Sequence, residues 1–221
     1  MSSASLRSPL NELQLELLEA FAGVEGVWLS GGAALGGLQF GHRGTEDLDF
    51  FTADPSRLDE LEHRLRDWCL RHHCTHEVER RYPGFQRHKV SSGGQSTLLD
   101  FVLEPVAQVV PLDQKMSMWG VRVDPPEEIR ANKLAALLGR GETKDLVDLF
   151  WLEARGFDAL EGLADATLKD GAVDAATLAW VLETMTLDLE GLLLVEPLAH
   201  PTLESYRDEL VQRLKKVAFP G

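Results

Sequence analysis

The sequence has no long hydrophobic run. Over 221 residues no apolar stretch approaches the roughly 20 residues of a membrane-spanning helix, and one of the longest, GLLLVEPLA, contains Glu196. The N-terminal stretch MSSASLRSPLNELQLELLEA lacks the apolar block and the cleavage site of a secretory signal. These absences predict a cytoplasmic protein that does not bind membranes.

Cysteine is scarce, and basic residues are outnumbered. Two cysteines exclude a disulfide framework. Cys69 and Cys74 lie near three histidines in CLRHHCTHE, but this spacing fits no zinc signature, so we expect a helix end with buried thiols. The chain has 22 Lys and Arg against 36 Asp and Glu, a net charge of -14. This balance excludes a uniformly basic nucleic-acid binder.

The charge is unevenly distributed along the chain. Residues 57–89 hold eight basic and six acidic side chains, whereas residues 153–209 hold three and thirteen. The first segment could face phosphates, although an ordinary solvated surface explains it equally well.

The residue pattern predicts an α+β protein, with a mixed α/β lobe over residues 1–125 and a mainly helical lobe over residues 126–221. Ser8 and Pro9 are typical of a helix start. Strands are predicted over residues 26–30, 47–52, 76–82, 85–91 and 96–103, with edge strands over 108–110 and 119–123. Helices are predicted over residues 33–40, 54–70, 127–138, 144–154, 173–185 and 201–217.

Two carboxylates stand one residue apart in the predicted strand DLDFFT. Residues i and i+2 of a strand point to the same face, so Asp47 and Asp49 project together while Leu48 enters the core. Two like charges this close repel each other unless a cation lies between them. Mg²⁺ prefers oxygen ligands and often carries substrate phosphates, so the pair predicts Mg²⁺ with a nucleoside triphosphate (NTP).

A third acid, Asp100, lies in the otherwise apolar strand STLLDFVLE. Burying a carboxylate there is costly without a partner. If this strand lies beside DLDFFT, Asp100 joins Asp47 and Asp49, and three carboxylates can hold two metal ions roughly 3.5–4 Å apart. Asp100 could also accept the proton of an attacking hydroxyl.

A glycine pair precedes the acids. Gly31 and Gly32 follow a predicted strand and precede a helix, and such a turn exposes backbone N–H groups that bind anions. Ser30 could add a hydroxyl contact to phosphates, and Thr45 could cap the turn or contact a phosphate. Each feature alone is more often a turn or a solvated strand end, but the ordered set indicates a nucleotide site.

The segment GGAALGGLQFGHRGTEDLDFF resembles the signature of the AbiEii/AbiGii-type toxin nucleotidyltransferases, within the DNA polymerase β-like superfamily. Gly31, Gly32, Asp47, Asp49 and Asp100 match residue by residue, and Arg43 and Thr45 stand where the family tends to have a basic residue and a Ser or Thr. Ala33 departs from the Thr or Ser of many relatives. The resemblance implies a small nucleotidyltransferase-type sheet with flanking helices, followed by a helical lobe that contributes to the active-site cleft.

A second segment, IRANKLAALLGRGETKDLVDLFWL, resembles the family's later motif. The matching positions are Lys133, Arg140, Lys144, Asp145 and Asp148. Lys133 and Lys144 could neutralise triphosphate charge. The alternatives are a solvated helix face for Lys133 and, for the acids, a helix start capped by Thr143.

The resemblance implies Mg²⁺-dependent transfer of a nucleoside monophosphate from an NTP to an acceptor such as tRNA, by a toxin with a cognate antitoxin. Candidates for binding an RNA backbone are Arg64, Arg71, Arg80, Arg81, Arg87 and Lys89. Two alternatives stay open. The acidic second half suits a cationic small molecule, as in aminoglycoside adenylyltransferases, and the fold could serve as a non-catalytic nucleotide-binding or partner-binding module.

Overall fold

The computed structural model describes residues 9–220. These residues form two compact units. The first comprises residues 9–106 and 111–125, and the second comprises residues 107–110 and 126–220.

The first unit is built on a seven-stranded mixed sheet, which confirms the predicted α+β class. The strand order is β3-β4-β5-β2-β1-β7-β6. β1 and β2 are antiparallel, whereas β2 and β5 are parallel. The elements are α1 (Glu12–Ala20), β1 (Val27–Ser30), a π-helix (Ala33–Phe40), β2 (Asp47–Thr52), α2 (Ser56–Arg71), β3 (Thr75–Tyr82), β4 (Phe85–Ser92), β5 (Gln95–Leu103), β6 (Ser117–Met118) and β7 (Val121–Val123).

The sheet has one buried apolar face. Alternate residues of β2, Leu48 and Phe50, are fully buried, as are Leu99 and Phe101 of β5. The ring of Phe21, which follows α1, lies 4.4 Å from that of Phe50 and 5.6 Å from that of Phe101. Because side chains alternate along a strand, this packing leaves the odd-numbered residues of β2 on the opposite face.

Three local predictions are wrong in detail. Ser8 lies outside the described residues, and α1 begins at Glu12 rather than at Pro9, because Asn11 and Gln14 form a capping box. Residues 108–110 form no strand. The predicted strand over 119–123 is a hairpin of β6 and β7, because Trp119 and Gly120 adopt positive φ angles and form its turn.

The second unit is helical. It contains α3 (Pro126–Gly139), α4 (Thr143–Ala154), α5 (Leu163–Lys169), α6 (Ala175–Thr184) and α7 (His200–Ala218). α5 was not predicted, since its seven residues are too few for a clear helical period. Fully buried leucines from four helices form the core: Leu137, Leu146, Leu149, Leu178 and Leu210. Among residues 9–220, no helix combines the length and the apolar character that crossing a bilayer requires.

Candidate active site

The parallel pairing of β2 and β5 brings the three predicted acids together. Asp49 lies directly opposite Asp100 in the register, and Leu48 lies opposite Leu99. Carboxylate oxygens of Asp47, Asp49 and Asp100 lie within 4.8 Å of one another. The acids share one face of the sheet because the leucine between Asp47 and Asp49 is anchored in the core on the other face.

Gly31 makes room for this cluster. The residue before it, Ser30, pairs with Asp49 across β1 and β2. Gly31 itself has a φ of +65°, and a Cβ atom there would lie 2.4 Å from Oδ2 of Asp49. Glycine is therefore required at this position for two reasons: the positive φ angle, and the Asp49 carboxylate that a Cβ atom would meet.

Gly32 makes room for a second pair of side chains. A Cβ atom there would lie 2.8 Å from a guanidinium nitrogen of Arg43 and 3.1 Å from Oγ1 of Thr45. The Thr45 hydroxyl donates a hydrogen bond to Oδ1 of Asp47 at 2.6 Å. Arg43 is buried and donates to the carbonyl of Gly44 at 2.9 Å. Thr45 thus orients one of the acids, and its contact with a phosphate stays a prediction.

The helix that follows the glycine pair was predicted, but its type was not. Residues Ala33–Phe40 form a π-helix that ends at Gly41 in the left-handed conformation. π-Helical turns are rare and often occur at functional sites. Gly37 lies inside it, where a Cβ atom would come within 2.5 Å of Leu10. The packing against Leu10 therefore leaves no room for a side chain at Gly37.

Arg87 was predicted only as a candidate for binding an RNA backbone, and its place beside the acids was not predicted. Its guanidinium donates to both oxygens of Asp100, at 2.7 and 2.5 Å. Hydrogen bonding to Asp100 raises the pKa of Arg87, and the charges of Asp47 and Asp49 raise it further. The signal for this pair was the β-hairpin of β4 and β5, whose register places Arg87 opposite Asp100.

The donor set at this face fits a hard divalent cation. Three carboxylates and one guanidinium leave a negative balance, and all the available ligand atoms are oxygens. Ca²⁺, Mg²⁺ and Mn²⁺ prefer such ligands, whereas zinc sites are usually built from His and Cys. The cluster can therefore hold a divalent cation at Asp47, Asp49 and Asp100.

The second predicted motif forms an ion cluster within the second unit. The Lys133 ammonium lies 2.9 Å from a carboxylate oxygen of Asp145 and 2.6 Å from one of Asp148. Lys133 is only 4% exposed, so the solvated-face alternative is wrong for it. Burial raises the pKa of Asp145, but Lys133 and Arg140 outweigh it and lower that pKa below its ordinary value. The cluster ties α3 to α4.

Two neighbours of this cluster differ from the expectation. Thr143 is not the N-cap of α4: Glu142 precedes the helix, and the Thr143 hydroxyl accepts a hydrogen bond from the backbone N–H of Asp188 at 3.0 Å. Lys144 forms an ion pair with Glu142 at 2.9 Å and is partly exposed. A role for Lys133 or Lys144 in binding triphosphate stays a prediction.

Most of the arginines predicted to bind an RNA backbone have partners within the first unit. Arg64 pairs with Glu60, and Arg81 pairs with Glu62. Arg71 donates to a backbone carbonyl of its own helix. Arg80 and Lys89 form no ion pair with any carboxylate among residues 9–220.

The sequence of the chain matches a protein-family model. The model described as the nucleotidyl transferase AbiEii toxin of type IV toxin–antitoxin systems matches residues 16–217, nearly the whole sequence. The chain belongs to the AbiEii family of nucleotidyltransferase toxins. The predicted family and enzyme class are thereby confirmed. No curated protein sequence gives a significant match.

Two solved structures resemble the chain at low sequence identity. The crystal structure of JHP933 from Helicobacter pylori is 20% identical, with a TM-score of 0.56, and the match covers 95% of this chain and 96% of that one. MenT4, a nucleotidyltransferase toxin from Mycobacterium tuberculosis H37Rv, is 17% identical, with a TM-score of 0.58 and coverage of 92% and 82%. At these identities the likeness supports the fold.

Proposed function

We propose that the chain is a toxin that transfers a nucleoside monophosphate from an NTP to a hydroxyl group of an RNA acceptor, such as a tRNA end, with Mg²⁺ as cofactor. The observation that carries the proposal is the convergence of Asp47, Asp49 and Asp100 within 4.8 Å of one another, beside Gly31. Membership of the AbiEii family supports the reaction class.

The metal would be held by the three carboxylates. A divalent cation bound there offsets their mutual repulsion and polarises the phosphate oxygens. Thr45 orients Asp47 through the 2.6 Å hydrogen bond, and Arg87 orients Asp100 through two. The protein thus supplies ligands whose positions are fixed by neighbouring side chains.

The phosphates would lie at the glycine turn. Ser30, Gly31 and Gly32 lie between the end of β1 and the π-helix, where backbone N–H groups favour anions. No side chain at Gly31 or Gly32 blocks the approach of a phosphate to the backbone. We assign the β- and γ-phosphates to this turn.

The transfer step needs one proton acceptor. The acceptor hydroxyl oxygen attacks the α-phosphorus, the bond to the bridging oxygen breaks, and pyrophosphate leaves. We assign the hydroxyl proton to Asp100, because each carboxylate oxygen keeps a lone pair beyond its bond to Arg87. Asp47 and Asp49 would serve as the remaining ligands.

The family further implies a protein partner. Its model describes toxins of type IV toxin–antitoxin systems, so we propose a cognate antitoxin and a cytoplasmic site of action. We also propose that Lys133 and Lys144 offset part of the negative charge of the triphosphate.

One incubation tests the reaction and its acceptor. Each of the four NTPs, labelled at the α-phosphate, is incubated with the protein, Mg²⁺ and either total RNA or a small-molecule extract. Label in RNA supports the proposal, and label in small molecules supports an aminoglycoside-type adenylyltransferase. NTP binding without any transfer supports a non-catalytic nucleotide-binding module. Asp49→Asn serves as the control, because it keeps the side-chain shape and removes the charge.

A further inference from the structure

The face of the sheet that carries the three acids continues onto β4 and β3. Arg87 lies opposite Asp100, and two residues along β4 Phe85 lies opposite Tyr82 of β3. Arg80 and Lys89 share this face, since Arg80 pairs with Arg87 in the register and Lys89 is two residues from it. We define Arg80, Tyr82, Phe85 and Lys89 as the hairpin face.

The two aromatic rings of the hairpin face form a platform. Their centroids lie 6.4 Å apart and their planes differ by 25°, a stacked arrangement. Tyr82 is 61% exposed. On the other side, the Arg87 guanidinium lies 5.9 Å from the centre of the Phe85 ring, so the same arginine contacts the platform and Asp100.

The hairpin face carries two basic side chains in a chain that is strongly negative as a whole, and Glu77 lies opposite Lys89 in the register. The side chain of Arg81 lies on the other face of the sheet, where it forms an ion pair with Glu62. Arg80 and Lys89 have no such partner within the described part of the chain. Two cations without an ion-pair partner, beside the exposed ring of Tyr82 and the partly buried ring of Phe85, suit a ligand that has both phosphates and flat bases.

The platform lies within one or two nucleotides of the acids. With strands about 4.8 Å apart and a rise of about 3.3 Å per residue, Phe85 is about 8 Å from Asp100 along the sheet, and Tyr82 is about 12 Å from it. An acceptor whose terminal hydroxyl reaches Asp100 can therefore place its neighbouring bases over these rings.

We propose that the hairpin face binds the single-stranded end of the RNA acceptor, and this inference rests on the proposed function. Bases stack on Tyr82 and Phe85, and Arg80 and Lys89 bind the adjoining phosphates. Single-stranded ends fit because their bases are free to stack, whereas the bases of a duplex are covered by their neighbours.

Binding is measured with the full-length protein and a fluorescein-labelled, eight-nucleotide single-stranded RNA, by anisotropy. Tyr82→Ala weakens binding by about 5- to 150-fold, the range of one lost base stack, and Tyr82→Phe restores most of it. The double variant Arg80→Ala/Lys89→Ala lowers the slope of log K against log salt concentration by about 1.4, because two phosphate contacts are lost. Trp180→Ala, an equally exposed aromatic residue on α6, leaves binding unchanged.

The transfer assay separates this inference from the proposed function. Tyr82→Ala raises the KM for the RNA acceptor and leaves the KM for the NTP unchanged. A wild-type protein that binds the RNA but transfers nothing overturns the proposed function alone. Unaltered RNA binding in both the Tyr82→Ala and the Arg80→Ala/Lys89→Ala variants overturns the inference. Equal affinity for a blunt RNA duplex also overturns the inference. A Tyr82→Ala variant that loses only the binding of a protein partner overturns it as well.

Discussion

At the scale of single residues, a comparison of Gly31 with Gly41 separates the cost of backbone strain from the cost of a steric clash. Gly31 and Gly41 both adopt positive φ, +65° and +74°, but only Gly31 faces a carboxylate, whereas a Cβ atom at Gly41 would meet nothing within 4 Å. Alanine at Gly41 therefore incurs backbone strain alone, about 1–2 kcal/mol.

Gly31→Ala should cost more and should also affect the reaction. Its Cβ atom displaces the Asp49 carboxylate from the cluster, so we expect a larger loss of stability than in Gly41→Ala and an almost complete loss of transfer. Urea unfolding and the labelled-NTP assay on both variants measure the difference. Equal activity in the two variants would show that the position of Asp49 does not matter.

Arg87 is a built-in counter-ion of the acid cluster. Its guanidinium is one-quarter exposed and binds an Asp100 carboxylate that is only 7% exposed. Arg87→Met leaves that carboxylate without its bidentate partner, beside two others of the same charge. We expect a loss of about 1–3 kcal/mol in the free energy of unfolding without divalent cations.

Adding a divalent cation tests whether the stability lost in Arg87→Met arises at the acid cluster. Added Mn²⁺ should recover more stability in Arg87→Met than in the wild type, because the cation then replaces a missing positive charge. Denaturant unfolding with and without Mn²⁺ gives both values. A deficit that Mn²⁺ leaves untouched would mean that Arg87 acts through its contact with Phe85 instead.

At the scale of elements, the β3–β4 hairpin contains a pair of stacked histidines. A ring nitrogen of His76 lies 2.9 Å from one of His88, and the other nitrogen of His88 lies 3.1 Å from the Gln86 side chain. Burial lowers the pKa of His88 to about 4, with a smaller contribution from His76. The ordinary value is 6.5, so the unfolded chain takes up this proton at higher pH than the folded one.

The sign of the pH dependence follows from this difference. As the pH falls from about 6.5 to about 4, protons bind the unfolded state first, and the free energy of unfolding decreases. His88→Gln should show a flatter profile over this range in urea titrations, whereas His63→Gln, on the exposed side of α2, should keep the wild-type slope. Identical slopes in all three proteins would contradict the prediction.

The α3–α4 pair depends on a buried ammonium group. Lys133→Met leaves Asp145 and Asp148 without their shared cation, and breaking a buried ion pair from one side costs about 3–5 kcal/mol. Lys144→Met, which breaks a partly exposed pair with Glu142, should cost at most about 1 kcal/mol. Thermal and urea unfolding compare them. A small loss in Lys133→Met, together with a higher KM for the NTP, would favour the triphosphate role.

These elements also show which features of the site could be predicted from the sequence. The acids of β2 were predictable because alternation along one strand decides which side chains share a face. The pairing of Asp100 with Arg87 depends on the register of a hairpin, and the turn at Gly93 and Gly94 sets it. Burial of Lys133 depends on packing between two helices, which a periodic pattern in either helix does not encode.

At the scale of the whole molecule, the net charge of -14 opposes concentrating carboxylates in one place. The folded state nevertheless gathers three on one sheet face, where Arg87 forms an ion pair with Asp100. Unfolding releases this repulsion, so a cation that binds only the folded cluster stabilises the protein by mass action. Stability should therefore depend on divalent cations more than on salt in general.

Thermal unfolding tests this dependence. A divalent cation at about 100 times its dissociation constant adds about 2.7 kcal/mol, which corresponds to a rise in Tm of roughly 5–10 °C for a chain of this size. We expect this rise with Mg²⁺ or Mn²⁺ and a much smaller one with NaCl at matched ionic strength, because screening alone does not place a charge between the carboxylates. Because the chain has two compact units, the transition to follow is the one that shifts with the divalent cation.

Two variants decide where the cation acts. Asp49→Asn should lose most of the response to Mg²⁺ while keeping its Tm in NaCl, since it removes one ligand and one repelling charge together. Asp113→Asn, a change of equal charge in the first unit but away from the three acids, should respond as the wild type does. If both variants keep the full response, the cation binds elsewhere on the acidic surface, and the three carboxylates of β2 and β5 are not its site.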